Sequence, residues 1–89
     1  MHVTTEALET VPATLAGVIA QTRAFDGNIA VDVFVDADDP THFVAVETWE
    51  SAEQDAAYRA WRATPEGATP LGSILAGAPT LTQLLPTTI

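Results

Sequence analysis

The fold is decided by the stretch "IAVDVFVDADDPTHFVAVETWES", residues 29–51, which has the pattern of a β-hairpin followed by a helix cap. Residues 29–35 alternate, and this period of two predicts a strand with a mostly valine face and an Ala-Asp-Phe face. The Asp- and Pro-rich residues 36–40 predict a turn. Residues 42–49 predict the second strand, which ends on Trp49. Ser51 is the predicted N-cap of the next helix, with Gln54 at the capping-box position.

The flanking segments predict two helices and one more strand. Apolar residues three and four apart predict a helix over residues 4–24, with either a kink at Pro12 or a start there. The capped helix covers residues 52–62, a short helix is predicted over 71–77, and alternation predicts a last strand over 79–85. With one strand added in front, this order becomes the split β-α-β-β-α-β pattern of ferredoxin-like α+β proteins. We expect a single domain over residues 1–89.

Composition excludes several classes of protein. Lys and Arg total 3 against 12 Asp and Glu, a formal charge of -9, which disfavours nucleic acids and anionic membranes as partners. The absence of Cys excludes disulfides and thiolate chemistry. No secretion signal pattern is visible, so we expect a cytoplasmic protein. The acidic residues 36–39 lack the spacing of a calcium loop, and we expect no metal site.

The stretch from Asp26 to Trp61, with the Gly27–Asn28 pair, the hairpin and the helix directly after it, resembles the antibiotic biosynthesis monooxygenase (ABM) family. The resemblance covers roughly residues 5–85 and implies a dimeric α+β barrel of ferredoxin-like topology. Members begin with a full strand, whereas only residues 1–4 precede the first helix here. We therefore expect a first strand that is short or missing.

The resemblance implies a cofactor-free monooxygenase that oxidises a small polycyclic phenol or anthrone to a quinone, without a bound cofactor. Two positions depart from the family pattern: Ala45 stands where quinone-forming relatives often have Asn, and Tyr58 stands where many relatives have His. Heme-degrading relatives use an Asn and a His that have no equivalent here, so heme degradation is less favoured. A non-catalytic dimeric module that binds a hydrophobic small molecule or partner is the alternative function.

Three residues are candidates for acid–base chemistry. Glu47 is solvated, paired with an arginine of the following helix, or buried with a raised pKa, and the last of these would make it a general base. His42 is either an exposed turn residue or the best base near neutral pH. Tyr58 either packs on the sheet or donates a hydrogen bond to a phenolic substrate; its ordinary pKa near 10 makes it a poor base. His2 is expected to be disordered.

Three aromatic residues are candidates for substrate binding: Trp49, Trp61 and Phe43. Each is either a core anchor or a pocket wall that stacks on an aromatic ligand, and the two interpretations are compatible. Because the first hairpin strand is apolar on both faces and helices cover one face only, we expect a homodimer in which a second subunit covers the other.

Overall fold

The structure is a computed structural model that describes residues 1–89, with two helices packed on one face of an antiparallel hairpin. Strand β1 spans Asn28–Asp36 and strand β2 spans Asp39–Trp49. Helix α1 spans Val11–Ala24 and helix α2 spans Ala52–Arg62. The expected α+β, ferredoxin-like arrangement is confirmed.

The hairpin register confirms the predicted strands and extends each of them by one to three residues. Val31 pairs with Glu47 and Val33 with Ala45, so these residues share the face that the helices cover. Val31 is buried. Ile29 lies at a register shift and is exposed, although alternation placed it on the same face as Val31. Irregular pairing at this end of β1 interrupts the strict period of two.

Both helices begin where local chemistry directs. Helix α1 begins at Val11 with Pro12 in its first turn, where a missing N–H costs nothing, and a separate 3-10 turn covers Thr5–Ala7. The second alternative for Pro12, a start rather than a kink, is therefore confirmed. Helix α2 is capped by Ser51, whose hydroxyl oxygen accepts the Gln54 backbone N–H at 3.2 Å.

The first strand is reduced to two residues, as expected. His2 bridges His42 and Val3 bridges Leu75, both antiparallel, and the Phe43 N–H donates to the Met1 carbonyl at 2.8 Å. The N-terminal residues thus cover the edge of β2 only near its start. The edge from Val44 onward carries no neighbouring strand. Across the sheet, β1 therefore lies next to β2, β2 lies next to residues 2–3, and residues 2–3 lie next to Leu75.

The core lies between α1, the N-terminal segment and Ile74. Buried apolar residues of the N-terminal segment, α1 and the C-terminal region form one cluster: Val3, Ala7, Val11, Leu15 and Ile74.

The short helix predicted over 71–77 is a 3-10 helix at Pro70–Ser73. Residues 79–85 form no strand and are exposed. No backbone hydrogen bond involves residues 77–89, so they do not pair with the open edge of β2.

The sheet face opposite the helices is apolar and uncovered. Phe34 pairs with Val44, and Val46 follows on the same face; they are 57%, 43% and 40% exposed. Three large apolar side chains side by side on one face differ from the scattered apolar residues of an ordinary surface.

Candidate functional site

A cavity of about 770 Å³ lies where the shortened first strand leaves the edge of β2 open. Val44, Ala45 and Glu47 of β2 line one side of it. Helix α1 contributes its apolar stripe, and α2 contributes Tyr58 and two arginines. Residues 76–82 of the C-terminal segment line the remaining side. The volume is in the range of pockets that bind small molecules.

Glu47 is held in the cavity wall by two donors. Arg59 Nη2 donates to Glu47 Oε1 at 2.7 Å, and the indole Nε1–H of Trp49 donates to the same oxygen at 3.2 Å. Arg59 also donates from Nε to Asp55 Oδ1 at 3.1 Å. Of the three alternatives for Glu47, the structure shows the pair with an arginine, and the side chain remains 19% exposed. Oε2 has no partner in the protein.

Tyr58 is buried, 3% exposed, and its hydroxyl both donates and accepts a hydrogen bond. The Thr22 hydroxyl donates to the Val18 carbonyl, so Tyr58 is the donor in its 2.7 Å bond to Thr22 Oγ1. Arg62 Nε donates to the Tyr58 oxygen at 2.7 Å. The single phenolic proton of Tyr58 is therefore directed at Thr22 and away from the cavity.

Four aromatic rings form a cluster behind Glu47. The Trp49 and Tyr58 centroids lie 4.9 Å apart, and the Tyr58 and Trp61 centroids 6.2 Å apart. Phe25 lies against all three, at 5.3 to 6.1 Å. Sequence reasoning missed Phe25 because it lies in the loop that ends α1. The fact that it comes two residues before a glycine turn was its only signal.

His42 lies at the other end of the cavity, in contact with two unexpected partners. Its Nδ1 is 3.0 Å from Asp36 Oδ2, and its ring stacks on His2 with centroids 4.3 Å apart. The expectation that His2 is disordered is wrong, because the bridge to β2 fixes its backbone. The hydrogen bond from His42 is the main cause that lowers the pKa of Asp36 below its ordinary value.

The six predicted site residues fall into three places. Glu47, His42 and Tyr58 line the cavity, whereas Trp49 and Trp61 pack in the aromatic cluster behind it. Phe43 packs against the hydrophobic core, away from the tryptophans. The sequence pattern put Phe43 and Trp49 on one strand face, but six residues of strand separate them by about 20 Å.

Two further features bear on the kind of site. No group of three or more His, Cys, Asp or Glu side chains is arranged to hold a metal ion. None of the helices has the length and apolar character needed to cross a membrane.

Comparison with known proteins gives a consistent result. The family model described as antibiotic biosynthesis monooxygenase matches residues 1–68. A solved structure described as a crystal structure of antibiotic biosynthesis monooxygenase is 29% identical, with a TM-score of 0.72 over 96% of this chain and 92% of that chain. No curated protein sequence matches the chain.

Proposed function

The chain belongs to the antibiotic biosynthesis monooxygenase family, and from that premise we propose that it is a cofactor-independent monooxygenase that oxidises a small polycyclic phenol or anthrone to a quinone. The observation that carries the proposal is the cavity of about 770 Å³, whose wall combines the apolar stripe of α1 with Glu47 and His42. Such a cavity accepts a planar apolar body and offers a base at either end.

The proposed reaction needs a base and a water-poor cavity but no bound cofactor. Removal of a proton from the anthrone or phenol leaves an electron-rich anion that reduces dioxygen directly. One oxygen atom of dioxygen becomes the new quinone carbonyl and the other leaves as water. The two hydrogens of that water come from the CH2 carbon of an anthrone or, in a phenol, from the oxidised ring C–H and the hydroxyl group. The protein would bind the anion, orient it and exclude bulk water.

Glu47 and His42 are the two candidate bases. Glu47 Oε2 is unpartnered in the cavity wall, while Arg59 and Trp49 orient the carboxylate through Oε1. Asp36 faces His42 Nδ1, so in the neutral ring the proton on Nδ1 leaves Nε2 as the basic nitrogen. Tyr58 would donate a hydrogen bond to the substrate only after its hydroxyl gives up the hydrogen bond that it donates to Thr22 Oγ1. Trp49 would act by orienting Glu47, whereas Trp61 would act only by packing behind Tyr58 and Phe43 only by packing against the core.

Oxygen uptake by the metal-stripped protein, with a panel of anthrones and dihydroxynaphthalenes, tests the reaction. We expect quinone formation that falls about a hundredfold or more in the variant that lacks the true base, Glu47→Gln or His42→Gln. Glu53→Gln is the matched control, because Glu53 is an exposed carboxylate of α2 outside the cavity. Uptake at the uncatalysed rate with every compound would contradict the proposal.

Trp49→Ala separates the two roles of this ring. If Trp49 acts in the site by orienting Glu47, the substitution lowers turnover far more than it lowers folding stability, and Trp49→Phe keeps the packing while it removes the Nε1–H donor. An equal loss of turnover and stability in Trp49→Ala would assign the ring to the core alone.

The second candidate function is a non-catalytic dimeric module that binds a hydrophobic small molecule or partner. The engaged hydroxyl of Tyr58 and the methyl side chain of Ala45 favour it, because neither offers the cavity a proton donor. Tight binding of one aromatic compound, together with no oxygen uptake above the uncatalysed rate, would support this function over the enzyme.

A homodimer and a cytoplasmic location complete the proposal. The uncovered Phe34, Val44 and Val46 supply an apolar patch that a second copy would bury. Light scattering is expected to give twice the mass of one chain, 9.4 kDa, and Phe34→Glu is expected to give monomers. A monomeric wild-type protein at micromolar concentration would contradict the dimer.

A further inference from the structure

The charge on Arg62 is not neutralised by any carboxylate. Its five N–H groups all donate, and every acceptor is neutral: Tyr58 Oη, Gln21 Oε1, Thr22 Oγ1 and the carbonyls of Gly67 and Val18. The ion pairs of the chain involve Arg59 and His42 but not Arg62. The guanidinium is therefore fully hydrogen-bonded and still carries an uncompensated positive charge at the cavity wall.

The position of this charge is fixed. The Arg62 guanidinium lies 5.1 Å from the Tyr58 ring centroid and 4.8 Å from that of Trp61. Its hydrogen bonds join α2 to α1 and to the turn at Gly67, a 3-10 helix over Pro65–Gly67. With no N–H left over, Arg62 acts on a ligand through its field and not through a new hydrogen bond. A fixed charge beside a partly enclosed apolar cavity is less screened than one on the open surface.

The other charged side chains around the cavity are paired, whereas the ammonium group of Met1, which also lines the cavity, donates to the Phe43 carbonyl at 2.9 Å. Glu47 faces Arg59, which Asp55 also neutralises, and Asp36 faces His42. The distribution is unusual for so acidic a chain: two of its three arginines line the cavity, against one of its twelve acidic residues. The charges at the cavity wall that lack a partner of opposite sign, Arg62 and the Met1 ammonium group, are thus both positive, within a protein of formal charge -9.

We propose that the cavity selects its ligand as an anion, an ionised aromatic hydroxyl compound, and that Arg62 is the residue that determines this preference. The inference rests on the proposed function only in taking this cavity as the ligand site. It assigns the phenolate, not the neutral phenol, as the bound form. An apolar cavity without such a charge would favour the neutral phenol, because desolvation penalises the charged form. The sign of the preference therefore tests the proposal.

Para-nitrophenol is a suitable probe, because its anion is yellow and its neutral form is not. We expect the bound probe to be half-ionised at a lower pH than the free probe, with roughly tenfold tighter binding of the anion than of the neutral form. Para-nitroanisole, which has no ionisable hydroxyl, is expected to bind about as weakly as the neutral probe. A bound probe that ionises at the same pH as the free probe, or at a higher one, would overturn the proposal with the wild-type protein alone.

Three variants locate the effect. Arg62→Lys keeps the charge and is expected to keep the preference for the anion, whereas Arg62→Met is expected to lose it or reverse it. Arg23→Met removes the same net charge from an arginine outside the cavity and is expected to behave as wild type. Loss of the preference in Arg23→Met would show that net charge alone explains it. If Arg62→Met does not fold, Arg62→Gln takes its place, because it removes the charge and keeps an N–H donor, and it is likewise expected to lose the preference for the anion.

The test is independent of turnover. Anion selection without oxygen uptake would refute the proposed reaction and leave this inference intact. Oxygen uptake combined with preferred binding of the neutral phenol would do the reverse.

Discussion

Tyr58→Phe is the substitution whose energetic effect the structure defines most closely. It keeps the ring in the aromatic cluster and removes only the hydroxyl, which donates to Thr22 and accepts from Arg62, both at 2.7 Å. A buried neutral hydrogen bond contributes about 1 kcal/mol and one to a charged group about 1.5–3 kcal/mol. Because Arg62 is only half-buried and partly regains water, we expect a loss of about 2–3 kcal/mol in the free energy of unfolding.

Urea denaturation at fixed protein concentration measures this loss. The midpoint is expected to fall with no change in slope, and the melting temperature to fall by roughly 10–20 °C for a domain of this size. Thr22→Val removes the acceptor of the same bond, so the double variant should lose less than the sum of the two single losses. A loss below about 0.5 kcal/mol in Tyr58→Phe, or strict additivity with Thr22→Val, would refute the network.

Three further predictions concern other parts of the chain. Gly67→Ala places a Cβ against the Trp61 backbone carbonyl of α2 and is expected to destabilise by more than about 1 kcal/mol. Gly72→Ala has open space and is expected to be neutral or slightly stabilising, so equal melting temperatures of the two variants would contradict this prediction. Because the hydrogen bond from His42 lowers the pKa of Asp36, the ionised carboxylate stabilises the folded protein at pH values above its unfolded pKa near 3.8, and this stabilisation is lost as the pH falls through the lower folded pKa. NMR titration of the Asp36 carboxyl in the wild type and in His42→Ala measures the folded pKa, and the same midpoint in both proteins would contradict the prediction. Deletion of residues 78–89 removes one wall of the cavity, and this wall makes no backbone hydrogen bonds with the rest of the chain. A bound aromatic probe should therefore dissociate faster, as measured by stopped flow, while the circular dichroism signal of the helices is unchanged. An unchanged dissociation rate would show that these residues do not cover the site.

Local chemistry made the hairpin and the helix starts predictable. Alternation in β1, the cap at Ser51 and the tolerance of Pro12 in a first helical turn each depend on neighbours within a few residues. The strand predicted over 79–85 failed for the opposite reason. Alternation describes a chain that suits a sheet, but a strand also needs an edge to pair with, and the cavity separates these residues from the open edge of β2.

The candidate site was predictable as a set of residue types but not as an arrangement. Glu47 and Trp49 share a strand face, so their contact follows from a period of two. The pairing of His42 with His2 joins positions forty residues apart, and the position of Arg62 against Thr22 depends on how α1 and α2 pack. Neither relation leaves a pattern in a single sequence, because both are set by tertiary packing.

The hydrogen bonds of Arg62 have a consequence for how the molecule opens. Its guanidinium joins the last turns of α1, through Val18 and Thr22, to α2 and to the turn at Gly67. None of these three segments can separate from the others without breaking bonds to the same group. In amide hydrogen exchange, their backbone protons would then exchange as one cooperative unit, and the fluctuation that admits water to the cavity would be the same one that opens all three.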